Sequence, residues 1–304
     1  NNYFAKTPET INELMQIEKS ELLQKRLHEI ATVKGFSPST IGNYMRNPMQ
    51  FYMQRVLGIR EMEEVEENIA LNTLGTIIHG SLELLYMPYV GKKLTIEMVD
   101  EMLRKSDAEI RNQFNINYSE TAEKQGKNLI AYEVAKRNVY HFLSLEKEQL
   151  TQGDDVTVIA LEQQLNTVIE DPRLPYPIKL AGIADRVEIR NGILRIIDYK
   201  TGKVELNQVQ INAIEGITTD LKYEKAIQLL IYGLMYKSET ELPIQAGIYS
   251  FKNRKSGYLM FGLKVDKQTN SDFSDEILHA FKTELVTLLL EILNPELLFE
   301  EKVI

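Results

Sequence analysis

Leu180-Ala-Gly-Ile-Ala-Asp185-Arg-Val-Glu-Ile-Arg190-Asn-Gly-Ile-Leu-Arg195-Ile-Ile-Asp-Tyr-Lys200-Thr-Gly202 carries more structural information than any other stretch of the chain. Two runs rich in Ile and Val flank Asn191-Gly192, the dipeptide of a two-residue primed turn, so the stretch predicts an antiparallel hairpin. Such a turn pairs Arg190 with Ile193 and, counting outward, sets Asp185 across from Asp198. Side chains alternate, so one face carries Ile183, Asp185, Val187 and Ile189 with Leu194, Ile196, Asp198 and Lys200. The turn end of that face is apolar and predicts core. Its open end bears two carboxylates and a lysine. The other face takes Arg186, Glu188, Arg190 and Arg195, which predicts a more solvated surface. Like charges facing each other across a strand pair destabilise it unless compensated. Lys200 supplies part of that compensation, and a divalent cation supplies the rest, because carboxylate oxygens suit Mg²⁺ or Mn²⁺. The competing reading is a metal-free ion-pair cluster in which Asp185 and Asp198 share Lys200.

Downstream of the hairpin, the pattern predicts a helix over 221–238, strands near 244–252 and 257–265, and a last helix over 273–293. Upstream, residues 156–169 form a further strand, and the character changes at Gly153-Asp154-Asp155. Before that point the pattern is helical. Helices are expected over 11–34, from a Ser37-Pro38 cap to Asn47, from Pro48 to Gly58, and over 70–88, 95–114 and 120–150. Glu61, Glu63, Glu64, Glu66 and Glu67 mark a solvated acidic connection. The expected organisation is a helical lobe over 1–150 and a mixed α/β core over 151–304.

Composition narrows the function. The chain has 304 residues, 43% hydrophobic and 26% charged, which suits a packed globular protein. No apolar run reaches the roughly 18 residues of a membrane span. Asn1-Asn2-Tyr3 shows neither a leader nor an initiator Met, so the expectation is a cytoplasmic piece of a longer chain. With no cysteine, the chain has no disulfide, no cysteine-held iron–sulfur cluster and no cysteine nucleophile. The formal net charge of -9 argues against a module that simply coats nucleic acid, while leaving room for a local basic groove. Walker, dinucleotide-binding, zincin and nucleophile-elbow motifs are all missing.

Gly182-Ile-Ala-Asp185-Arg186 followed by Ile197-Asp198-Tyr199-Lys200-Thr201-Gly202 resembles the paired motifs of RecB/AddB-type nuclease domains in the PD-(D/E)XK superfamily. Gly75-Thr-Ile-Ile-His79-Gly-Ser-Leu-Glu83 resembles that family's upstream helix, Gln228-Leu-Leu-Ile-Tyr232 its downstream Gln-x-x-x-Tyr helix, and Phe36 to Tyr52 its opening segment. The resemblance implies a restriction-endonuclease-like fold, α/β (α+β), with a small mixed sheet flanked by helices and a helical N-terminal lobe. It implies metal ligation by His79, Asp185, Asp198 and the Tyr199 backbone carbonyl, with Lys200 activating the attacking water. Iron–sulfur members carry a cysteine where Asn47 stands and three more near the C-terminus. Their absence leaves helical packing as the expected closure of this domain.

Around those residues, Glu83 shares a helix face with His79 and is expected to orient it. Glu162 is expected behind the metal ligands as a supporting acid. Gln228 and Tyr232, four apart on an apolar helix, are expected to hold a nucleotide phosphate or base. Lys252, Arg254 and Lys255 at a hairpin turn are expected to grip backbone phosphates. The implied activity is a divalent-metal-dependent deoxyribonuclease, an exonuclease on single-stranded DNA ends, serving repair or recombination. Its implied cofactor is Mg²⁺ or Mn²⁺, and its implied companion is a helicase in the parent chain or a partner subunit. The rival is a catalytically silent DNA-binding or scaffolding module of a helicase–nuclease complex.

Overall fold

The computed structural model describes residues 15–59, 71–117, 126–237, 240–253, 257–266 and 268–302. The chain runs through β1 (Gln16–Ile17), α1 (Glu21–Glu29), α2 (Pro38–Arg46), α3 (Pro48–Phe51), α4 (Leu71–Tyr86), α5 (Ile96–Asn117) and α6 (Gly126–Thr151). It continues with β2 (Val156–Ile169), β3 (Ile178–Arg190), β4 (Ile193–Lys200), β5 (Gln210–Ile211), α7 (Glu224–Tyr236) and β6 (Ile244–Ser250). The remaining elements are β7 (Tyr258–Met260), β8 (Gly262–Val265), β9 (Gln268–Asn270), α8 (Asp275–Leu293) and β10 (Phe299–Glu300). This is the mixed α/β, restriction-endonuclease-like fold, with eight α-helices among the described residues around a small mixed sheet.

The main sheet has the order β2-β3-β4-β6-β7. Within that sheet only β4 and β6 run parallel among the described residues, and such a pair needs a long crossover, which here contains α7. Asn191 and Gly192 adopt φ 54° and 80°, the left-handed pair that a primed turn demands. The turn fixes the register, with Arg190 on Ile193 and Arg186 on Ile197. One step further out, Asp185 and Asp198 take facing positions. On the other side of β3 the register slips by one residue between Val158 and Ala160, so Ile159 is a bulge. Beyond it Leu161 pairs with Arg186 and Gln163 with Ala184, which sets Glu162 opposite Asp185.

Both faces of the sheet are covered. Ala184, Val187, Leu194, Ile196 and Ile248 pack against α7, α8 and the segment from Leu23 to Val56. Val156, Val158, Ile197, Tyr199, Tyr249 and Phe251 pack against α4, α5 and α6. The helical first half of the chain is therefore shared between the two sides of the sheet. Among the described residues no helix is long and apolar enough to cross a membrane.

Several expectations need correction. The charged face of the hairpin is not solvated: Arg186 and Glu188 are fully buried and Arg190 is 5% exposed. Helix α6 covers them and lays Glu146 between the two arginines, at 2.8 Å from Arg186 and 2.5 Å from Arg190. Glu188 closes the network on both arginines, Asp154 joins at Arg190, and the Arg186 guanidinium lies 4.5 Å from the centre of the Tyr86 ring. Burial alone pushes the Glu146 carboxyl up, but Arg186 and Arg190 outweigh it and hold the group below its usual range. Charges sit in the interior here because each meets an opposite charge.

The helix expected over 11–34 is shorter. Residues 1–14 lie outside the described residues, β1 precedes α1, and a π-helical turn over Ile30–Lys34 leads to Gly35 at φ 86°. The strand expected over 257–265 divides into β7 and β8, and β8 joins a separate three-stranded sheet with β5 and β9. The acidic run Glu61 to Glu67 lies outside the described residues. Closure of the domain relies on a ribbon rather than on helices alone. β1 pairs with β10, and Phe299 packs on Phe51 and Tyr52 with ring centres 5.9 and 5.4 Å apart. The Lys19 ammonium donates to the Glu291 and Asn294 carbonyls at 3.1 and 3.0 Å. Asn47 caps α3 through its Oδ1 and donates from Nδ2 to the Lys302 carbonyl at 3.4 Å.

Candidate metal centre

Three neighbouring strands carry an acidic row at the open end of the hairpin: Glu162 on β2, Asp185 on β3 and Asp198 on β4. The bulge at Ile159 puts the first acid in line, and the Asn-Gly turn aligns the other two. Glu162 adopts φ 44°, a left-handed backbone that costs a side-chain-bearing residue about 1–3 kcal/mol. From α4, His79 reaches the row. Its Nδ1 lies 3.4 Å from Asp185 Oδ1 and 4.0 Å from Glu162 Oε1, with its ring edge-on to Tyr199. One donor atom each from His79, Glu162 and Asp185 lie within 4.8 Å of one another.

The far side of Asp185 faces β4. Its Oδ2 accepts from the Tyr199 N–H at 2.5 Å, so a carboxylate replaces the next backbone rung of the ladder. An extended residue sends its N–H and C=O toward the same neighbour, and the Tyr199 carbonyl therefore leaves on the Asp185 side as well. The Tyr199 side chain points away into the core beneath α6.

Asp198 is 3% exposed. Lys200 Nζ stands 2.6 Å from its Oδ2, and Gln228 Nε2 donates to its Oδ1 at 2.7 Å. The Tyr232 hydroxyl donates to the Ile183 carbonyl at 2.9 Å and lies 3.5 Å from Asp198 Oδ1. These are protein contacts, which the expectation of a phosphate or base partner did not include. Gln228 and Tyr232 spend their polar ends on Asp198 and β3, and Tyr232 is 4% exposed. The reason is position: α7 covers this face of the sheet, so its polar stripe meets the strands first.

The electrostatics follow from crowding. Burial pushes the Asp198 carboxyl up, Asp185 adds to the shift, and Lys200 opposes it. Burial, then the charge of Asp185, raises Glu162 to about 7. Burial alone would lower His79, but the hydrogen bond and charge of Asp185 outweigh it and raise it. Clustered acids that resist ionisation together, beside an imidazole, make a donor set fitted to a divalent cation with nitrogen and oxygen ligands.

The remaining expected residues are placed as follows. Glu83 lies near enough for its charge to raise Glu162, and no hydrogen bond joins it to His79. Lys252 is exposed in the turn after β6, where the neighbouring Phe251 N–H donates to the Lys200 carbonyl. Arg254 and Lys255 lie outside the described residues. Sequence reading gave Glu162 a supporting place, and its position in the row itself depends on a bulge that periodicity does not announce.

Residues 35–302 match the family model of the PD-(D/E)XK nuclease superfamily. The chain belongs to that superfamily, whose members are metal-dependent nucleases. Among curated proteins it is similar to the uncharacterized protein RC0550 of Rickettsia conorii, 26% identical over 59% of this chain and 20% of that protein. An uncharacterized protein of Rickettsia felis is 24% identical over 74% of this chain and 25% of its own length. The chain thus spans about a fifth to a quarter of the length of these relatives. A solved structure described as the crystal structure of SSO0001 is 15% identical, covers 69% of this chain and 84% of that one, and has a TM-score of 0.24.

Proposed function

We propose that this chain is a RecB/AddB-like deoxyribonuclease module that hydrolyses DNA phosphodiesters at single-stranded ends, in repair or recombination. The observation that carries the reading is the convergence of Glu162, Asp185, Asp198, Lys200 and His79 from four elements onto one spot. His79, Glu162 and Asp185 hold Mn²⁺ or Mg²⁺, with Asp198 and the Tyr199 carbonyl completing the set. When bound, the cation polarises the phosphoryl oxygen and lowers the pKa of water.

The chain's own residues do the rest. Gln228, with Tyr232 beside it, keeps Asp198 in a single orientation. Lys200 shields Asp198 and offers its ammonium to the developing negative charge on phosphate. Asp185 ties the row to β4 through the Tyr199 N–H, which fixes the spacing of the two strands at the site. We also propose a helicase as its companion, since the curated relatives are four to five times as long as the part that matches. The test is incubation of end-labelled single-stranded DNA with Mn²⁺, using the wild type and Asp198→Asn. Shortening by the wild type alone is expected. Identical traces would replace the nuclease with a silent DNA-binding module.

A further inference from the structure

The face of α7 that meets the acidic row continues one turn beyond Gln228. Lys225, Gln228 and Tyr232 stand at i, i+3 and i+7, a single stripe of the helix. Gln228 and Tyr232 reach Asp198, so Lys225 lies beside the same site, toward the N-terminus of the helix. We propose that Lys225 grips a phosphate of the bound strand next to the bond that is cut, making it a substrate-positioning residue. The proposal rests on the nuclease reading for what the bound strand is.

Three observations support it. First, the carboxylate nearest to Lys225 among the described residues is already committed. Glu224 Oε1 stands 4.0 Å from Lys225 Nζ, while Arg46 takes both Glu224 oxygens at 2.5 and 3.2 Å. Gly42 makes this clamp feasible, because a Cβ there would fall 2.7 Å from Glu224 Oε1. Second, Asp198 has its own lysine partner at 2.6 Å, so Lys225 is not needed to pair it. Third, its side chain is 25% exposed, so most of the stem is packed and the ammonium is delivered to a confined place where an added anion completes it. Burial lowers its pKa and the charge of Lys200 adds to that effect, while Glu224 and Asp198 oppose it. A strand laid over the acidic row brings phosphates at regular intervals, and the one beside the cut bond supplies that anion.

The test reads binding separately from cutting. A short fluorescein-labelled oligothymidylate is titrated in EDTA against the wild type, Lys225→Gln, Lys225→Arg and the remote surface control Lys282→Gln. Losing one phosphate contact on a single strand should flatten the log–log salt dependence by about 0.7 and weaken low-salt binding about three- to tenfold. Arg should restore both, and the Lys282 variant should match the wild type. A second readout needs no variant. Bound oligothymidylate should protect Lys225 from acetylation, measured by mass spectrometry on the wild type, and this decides the matter if Lys225→Gln does not fold. An unchanged salt slope in folded Lys225→Gln, or full acetylation in the presence of DNA, overturns the proposal. Cleavage with Mn²⁺ is scored apart. A protein that cuts but shows no Lys225 effect refutes this inference alone, and one that binds through Lys225 but never cuts refutes the nuclease reading alone.

Discussion

Gln228 shows how a side chain can be placed on the right stripe while its protein partner goes unseen. Its spacing from Tyr232 puts both groups on one stripe, but spacing cannot say what the stripe meets, and here it meets Asp198. The role that follows is orientation of a carboxylate. Gln228→Leu is therefore expected to lower Mn²⁺ affinity and kcat about ten- to a hundredfold, as loss of a supporting hydrogen bond does at metal sites. Steady-state kinetics should show KM for oligonucleotide little changed. A rise confined to KM would return Gln228 to the nucleic-acid contact expected from sequence. The facing of Asp185 and Asp198 was legible because an Asn-Gly turn fixes register and strand alternation fixes direction. Glu162 was harder to place, since Ile159 shifts the register without any Gly or Pro to mark it.

The strand β2 and helix α6 carry the element-scale lessons. Deleting Ile159 closes the bulge without moving the pairs around it, because Val158 already faces Glu188 and Ala160 already faces Val187, so Glu162 stays opposite Asp185. The expected result is a folded protein whose Mn²⁺ affinity stays within about threefold of the wild type by calorimetric titration, and a larger loss would show that the local twist of the bulge itself shapes the site. The buried face of the hairpin was not legible, since alternating Arg and Glu on a strand reads as solvent until a covering helix is known. Glu146 lies far away in sequence, inside an otherwise ordinary amphipathic run. Glu146→Gln strands part of two buried guanidinium groups and should cost about 3–5 kcal/mol in urea unfolding. Joining it with Arg186→Met should cost less than the two single changes summed, since the two side chains share one network.

For the molecule as a whole, the alternation of helical and β-rich segments made the fold class readable, whereas the docking of residues 15–56 beside α7 and α8 was not. That docking depends on contacts between residues nearly 250 positions apart, such as Phe51 with Phe299. Lys19 is its electrostatic marker: burial lowers its ammonium to about 8 from an ordinary 10.5, although the charge of Glu291 pulls the other way. The unfolded chain then binds more protons than the folded one between those values, so Lys19 contributes a gain in stability as pH rises from about 8 to about 10.5. Unfolding free energies measured across that window should show this slope in the wild type and lose it in Lys19→Met. The ribbon beside Lys19 has a wider consequence. Gln16 and Glu300 are strand partners, so the described fold opens and finishes on adjacent strands. A fold with such adjoining ends can be spliced into a host chain as a cassette without prising the host apart.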